Sequence, residues 1–186
     1  MDLVGGRIIE GQLTKDERRI VREMICYATP HCCVECGTWA GGGSTRAIVD
    51  GLMLVKQGQL HSFELDADRA AQASAAYERE MPSLPDDLLN IYHMDYLTGM
   101  IEIMDAVADH PIDFAFLDGP ERSEFTISAL RHTVDRMPNG GHVMLHDWHT
   151  GKCDGVRAIL PRLPGVELAE VYEAGPTGMA LLEVHR

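Results

Sequence analysis

The stretch Cys33 to Thr45, C-V-E-C-G-T-W-A-G-G-G-S-T, constrains this chain more than any other. A short β-prone run carries an acidic residue, Glu35, and breaks into a glycine loop ahead of an amphipathic helix, which is how a parallel α/β sheet presents a nucleotide site. Glycines at 37, 41, 42 and 43 let backbone amides approach a ligand closely. Ser44 and Thr45 stand where the amides of a first helical turn point outward, and such a mouth suits an anionic group. A dinucleotide pyrophosphate is one candidate, but the G-x-G-x-x-G spacing fails: Thr38 and Trp39 follow Gly37, and no third glycine completes the count from Gly41. Taken alone, the loop also reads as a glycine-rich turn.

Glu35, Gly37, Gly41 or its glycine neighbours, Ser44 and Thr45 together resemble motif I of the class I S-adenosylmethionine (SAM) dependent methyltransferases. The resemblance implies that the loop holds the methionine moiety. Glu35 then lies on the amino-group side, and Gly37, Thr38, Trp39, Gly41 and Ser44 lie on the carboxylate side.

At 186 residues the chain suits one domain with one sizeable core. The expectation is a single cofactor-binding domain over residues 1–186, with residues 1–13 as a surface N-terminal arm whose I-I-E-G-Q-L part folds over the cofactor. Apolar content of 45% with 24% charged residues is ordinary for a soluble protein. Apolar runs fall well short of the roughly 18 residues of a membrane span, and the N-terminus lacks a secretory pattern, so a cytoplasmic location is expected. A formal charge of -13 disfavours a phosphate-neutralising face for nucleic acid and points to a small-molecule substrate. The C-x-x-C from Cys33 to Cys36 has no second ligand pair, and residues three apart in a strand face opposite sides, so buried reduced thiols are expected rather than zinc.

Along the chain, Thr14 and Glu17 form a capping box before a helix whose apolar face is Ile20, Val21, Met24, Ile25 and Ala28, ending at Thr29-Pro30. Strand one covers about Cys32 to Gly37, and a helix follows from Ser44 to Val55. A second strand, Leu60 to Asp66, places Glu64 near its carboxyl end, where such folds put an acid to accept two ribose hydroxyls. Its alternative reading is a helix N-terminal acid, a role that Asp66 and Asp68 fill more naturally. After an alanine-rich helix, Leu88 to Met94 reads as strand three and ends at Asp95-Tyr96. By resemblance Asp95 meets the adenine amine, with Tyr96 or Leu65 against the ring; otherwise Asp95 caps the helix holding Met100, Ile101, Met104 and Val107.

The run from residue 113 to 119 is a strand buried on both faces, with Asp118 emerging at its end. A helix led by Ser123 and the turn Pro138-Asn139-Gly140-Gly141 precede a strand that delivers His146, Asp147 and Trp148 to the same rim. The segments 166–174 and 179–185, around Gly175-Pro176-Thr177-Gly178, read as a hairpin. The fold class is therefore α/β: a Rossmann-like doubly wound sheet of seven strands, mostly parallel, closed by a C-terminal antiparallel hairpin as in the resembled family. Glu35, Glu64, Asp95, Asp118 and Asp147 should share one rim.

L-D-G after strand four and L-H-D after strand five resemble small-molecule O-methyltransferases and the cephalosporin hydroxylase-like proteins. Several of these hold a divalent ion on carboxylates at these two strand ends, which implies Mg2+ on Asp118 and Asp147, with Asp118 also beside the cofactor. This sequence departs from that pattern. Trp148 stands in place of an asparagine ligand, and Pro120-Glu121-Arg122 replaces D-H-S. A metal-free version uses His146 or His149 as general base, each of which also reads as structural. The resemblance thus implies methyl transfer to a hydroxyl of a small molecule, by Asp118, His146, Asp147 and His149. The alternatives are hydroxylase-like chemistry on the same cofactor site, a non-catalytic binding protein of the same fold, and an NAD-linked oxidoreductase. A homo-oligomer would close the open acceptor pocket, whose expected apolar wall is Trp148.

Overall fold

A computed structural model describes residues 9, 11–104 and 111–186. Helix α1, Lys15–Ala28, starts at the capping box: the Thr14 hydroxyl accepts from the Glu17 N–H while the Glu17 carboxylate accepts from the Thr14 N–H. It stops at Thr29, which takes a left-handed conformation (φ 45°) before Pro30. Strand β1, Cys32–Cys36, then enters the middle of the sheet.

The remaining elements alternate. Helix α2 (Ser44–Val55), β2 (Gln59–Glu64), α3 (Ala67–Glu80), β3 (Leu89–His93), α4 (Tyr96–Glu102), β4 (Phe114–Leu117) and α5 (Ser123–Val134) lead to β5 (His142–His146). A 3-10 turn (Gly151–Cys153), α6 (Asp154–Ile159), β6 (Val166–Tyr172) and β7 (Met179–Val184) complete the chain. The seven strands run in the order β3-β2-β1-β4-β5-β7-β6. The first five are mutually parallel, and β7 lies antiparallel between β5 and β6. This is the doubly wound sheet with a terminal hairpin read from the sequence. Val107, expected in the helix after Asp95, lies outside the described residues; α4 ends at Glu102, where the Ile103 N–H donates to the Gly99 carbonyl.

Because side chains alternate along each strand, the sheet divides the core in two. On one face Cys33, Phe114, Phe116 and Met144 pack with Ile25, Ile48 and Leu52 from α1 and α2. On the other, Val34, Cys36, Ala115, Leu117, Val143 and Leu145 pack with Tyr96, Leu130 and Val156. Cys33 and Cys36 therefore face opposite layers, and all five cysteines are free thiols. Burial pushes the Cys33 and Cys36 thiols well above their ordinary range, so neither is a thiolate at neutral pH. Among the described residues no helix is long and apolar enough to cross a membrane.

The β1–β4 register pairs Glu35 with Phe116, and the β4–β5 register pairs Leu117 with Leu145. The residues that follow each parallel strand consequently gather along one crest. Gly37 ties two of these ends together. It adopts φ 93°, and a Cβ there would stand 2.4 Å from the Asp118 carbonyl oxygen, so only glycine fits.

Candidate active site at the carboxyl crest

The loop after β1 is held by protein groups at every step. Gly37 N–H donates to the Phe63 carbonyl (2.9 Å), and the Tyr77 hydroxyl donates to the Gly41 carbonyl (2.8 Å). The described part of the N-terminal segment packs on it: the Cα of Gly11 lies against the backbone of Gly42 and Gly43, and Leu13 is buried there. Residues 1–8 and 10 of that arm lie outside the described residues. Part of the glycine content thus makes room for protein backbone rather than for a ligand.

Glu35 is fully buried at this loop. Its Oε2 accepts from the Thr45 hydroxyl (2.7 Å) and from the Ser62 hydroxyl, which also bonds Thr38 Oγ1 (2.5 Å). Its Oε1 is buried with no hydrogen-bond partner. Burial pushes the carboxyl up to about 7, against the pull of the Ser44, Ser62 and Thr45 hydroxyls. A buried acceptor of this kind is costly until a donor meets it, and a ligand ammonium is such a donor. Glu64 sits at the other side of the loop. Its Oε2 accepts from the Trp39 N–H (2.8 Å) and its Oε1 from the Asp66 N–H (3.0 Å). Asp66 caps α3 through the N–H groups of Asp68 and Arg69, so the helix-acid reading of Glu64 falls away. Each Glu64 oxygen keeps acceptor capacity for a ribose hydroxyl.

A second set of groups closes the ends of β4 and β5. His146 Nδ1 lies 3.4 Å from Asp118 Oδ2 and 3.3 Å from Asp147 Oδ1, while its Nε2 meets Glu17 Oε1 at 3.2 Å. The Lys152 ammonium binds Asp118 Oδ1 and, at 3.0 Å, Asp147 Oδ2. Three carboxylates thus surround two cations. Burial would lower the His146 imidazole, but Asp118 and Asp147 outweigh it and push it up to about 10. Burial would raise Asp118 and Asp147, yet His146 and Lys152 hold both below the usual carboxylate range. Asp147 reaches this position in a left-handed conformation (φ 58°), uncommon for a residue other than glycine. Hydrogen bonds from Trp148 N–H to Gly178 (3.1 Å) and from His149 N–H to Thr177 (2.9 Å) hold that turn on the β6–β7 loop.

The structure sorts the residues expected from the sequence. Glu35, Gly37, Thr38, Trp39, Gly41, Ser44 and Glu64 share the β1 loop, and Trp39 stacks under the Arg69 guanidinium at 3.6 Å. Asp118, His146 and Asp147 form one cluster. His149 does not join it: the side chain is half exposed and pairs with Glu173 at 3.1 Å. Asp95 accepts from the Thr98 N–H (3.1 Å) and caps α4. Tyr96 is buried, with its hydroxyl on Thr133 Oγ1 (2.7 Å) and its ring edge on Phe63, so it is a core residue and cannot stack on a ligand. Leu65, at 68% exposure, remains open. Trp148 is buried in the core rather than walling a pocket. Sequence reasoning missed two members of the cluster. Glu17 was legible only as a cap, and Lys152 carried no signal beyond being a lysine in the loop after β5.

A family profile described as a methyltransferase domain matches residues 34–148, more than half of the chain, from the middle of β1 to the turn after β5. The chain belongs to that family, and its sheet order is that of the class I SAM-dependent methyltransferases. No curated protein sequence matches it. Solved structures share the fold. An O-methyltransferase from Bacillus cereus in complex with SAH is 15% identical, with 95% of this chain and 84% of that one covered and a TM-score of 0.76. The O-methyltransferase TomG from Streptomyces achromogenes, involved in tomaymycin synthesis and in complex with SAM, is 17% identical over 94% and 82%, with a TM-score of 0.74. A putative caffeoyl-CoA O-methyltransferase from Staphylococcus aureus is 12% identical over 94% and 85%, with a TM-score of 0.75.

The β1 loop has the chemistry SAM would need: the unpartnered, buried Glu35 oxygen is an acceptor that an ammonium would satisfy, and the Glu64 carboxylate keeps acceptor capacity for hydroxyls. Mg2+ fits the cluster at the ends of β4 and β5 poorly. Asp118, His146 and Asp147 have ligand atoms within 4.8 Å of one another, the spacing of a metal site. But the Lys152 ammonium already sits on one oxygen of each aspartate, and His146 faces the other two.

Proposed function

We propose that this chain methylates an oxygen of a small-molecule acceptor, with Glu35 and Glu64 binding the cofactor and the Asp118–His146–Asp147 cluster facing the acceptor. The observation that carries the reading is the position of that cluster, one residue beyond β4 and at the end of β5, with Asp118 packed by its backbone on Gly37 of the cofactor loop. SAM supplies an electrophilic methyl carbon, so the protein's own work is alignment, exclusion of water and removal of one proton.

His146 is cationic at neutral pH with both nitrogens facing carboxylates, so it orients Asp118 and Asp147 rather than acting as a base. The two aspartates, held ionised, accept the hydrogen bond of the acceptor hydroxyl. As the carbon–oxygen bond forms and the methyl–sulfur bond breaks, its electron pair staying on sulfur, that hydroxyl would become a strong acid, and a carboxylate of low pKa suffices to receive its proton. The O-methyltransferase descriptions of the similar structures support oxygen as the target atom. The acidic balance of 29 Asp and Glu against 16 Lys and Arg supports a small acceptor over nucleic acid. Five free thiols suit the reducing cytoplasm.

Calorimetry with SAM and its demethylated product, followed by mass spectrometry of hydroxyl-bearing small-molecule acceptors, tests this. Binding with a gain of one methyl on oxygen is expected. Absence of binding at high micromolar cofactor would overturn the cofactor reading, and product without added methyl would overturn the reaction.

A further inference from the structure

The charges at the acceptor end are arranged more completely than a bare pair of acids requires. Asp118 and Asp147 present four carboxylate oxygens: the Lys152 ammonium donates to Asp118 Oδ1 and Asp147 Oδ2, and His146 Nδ1 lies 3.4 Å from Asp118 Oδ2 and 3.3 Å from Asp147 Oδ1 without a hydrogen bond to either. Lys152 is not a surface side chain that has drifted inward, since its side chain is 1% exposed.

The backbone that delivers it is built for the purpose. Lys152 lies in the 3-10 turn five residues after Asp147, and Thr150 joins the two: its hydroxyl donates to the Asp147 carbonyl (3.0 Å) and accepts from the Lys152 N–H (3.3 Å). From α6, Arg157 donates to the carbonyls of Trp148 and Thr150, clamping the same turn from outside. The strained Asp147 and the buried Lys152 are thus presented to each other by one short segment.

We propose that Lys152 is the resident cation of this site, an ammonium standing where the resembled O-methyltransferases place a divalent ion. It is a positioning residue: by bridging Asp118 and Asp147 it fixes their separation and relieves their mutual repulsion. A divalent ion on the same oxygens would have to displace the buried ammonium that already bridges them. The inference deepens the methyl-transfer reading by specifying how its acceptor end is charged, but its test does not depend on turnover.

The test is titration of the purified full chain with Mn2+ alone, followed by electron paramagnetic resonance and calorimetry, on wild type, Lys152→Ala, Lys152→Met and Lys152→Ala/Asp147→Asn. Wild type is expected to bind no Mn2+ at the crest and to keep its activity in a chelator. Lys152→Ala, with one oxygen of each aspartate freed, is expected to gain one Mn2+ site, tighter than any in wild type by on the order of tenfold or more, and to lose it with Asp147→Asn. Folding of each variant is checked by circular dichroism. Lys152→Met keeps the length of the side chain and repeats the test should alanine collapse the turn. A Mn2+ site in wild type that Asp147→Asn removes would overturn the proposal, and so would folded Lys152 variants that gain no site. Should no acceptor be methylated at all, the metal titration still decides the matter.

Discussion

At the scale of single residues, the crest separates into two kinds of buried charge. Lys152, His146, Asp118 and Asp147 offset one another, whereas Glu35 has hydroxyl partners on one oxygen and none on the other. Its carboxyl is raised from the ordinary 4.5 to about 7, so between those values the folded chain binds a proton that the unfolded chain has released. Stability from this group therefore falls as pH rises through that window and is flat above it. Glu35→Gln should remove this slope, abolishing a loss on the order of 3 kcal/mol between about pH 4.5 and about pH 7, as read from urea denaturation at several pH values. The same variant should weaken SAM binding, because it removes the negative partner of the ammonium.

At the scale of elements, α1 does more than cover the sheet. Its capping box places the Glu17 carboxylate at three contacts at once: the Thr14 N–H, the His146 ring and the turn at Gly175, where a Cβ would stand 2.1 Å from Glu17 Oε1. The start of the first helix, the end of β5 and the hairpin loop are therefore fixed together. Thr14→Ala removes the cap hydroxyl and should cost about 1 kcal/mol in denaturant unfolding. The capping box was legible in the sequence because it is a pattern of spacing. Its link to His146, 129 residues away, was not.

At the scale of the whole molecule, the order β3-β2-β1-β4-β5-β7-β6 puts β1 and β4 at the centre, with the Cys32–Cys36 and Phe114–Leu117 strands buried throughout. β6 forms one edge, and residues 167–170 on it are exposed, with Glu167 and Glu170 guarding the open strand. Hydrogen exchange should accordingly be slowest in β1 and β4 and fastest, among strands, in β6. Mass spectrometry of exchanged peptides checks this, and equal protection of β6 and β1 would contradict it.

The amino-acid sequence by itself determined the succession of elements, the strand ends and the acids those ends carry, because periodicity, caps and turn residues act over a few positions. It also determined that Cys33 and Cys36 would part to opposite faces. Only the tertiary structure decided which charges meet. Tyr96 went into the core because α4 packs it against Thr133 of α5, and His149 went to the surface because the turn after Asp147 rolls it towards Glu173. Lys152 and Glu17 joined the crest cluster although no spacing linked them to it. Attraction between charges depends on distance through space, and that distance is set by how the sheet orders its strands rather than by separation along the chain.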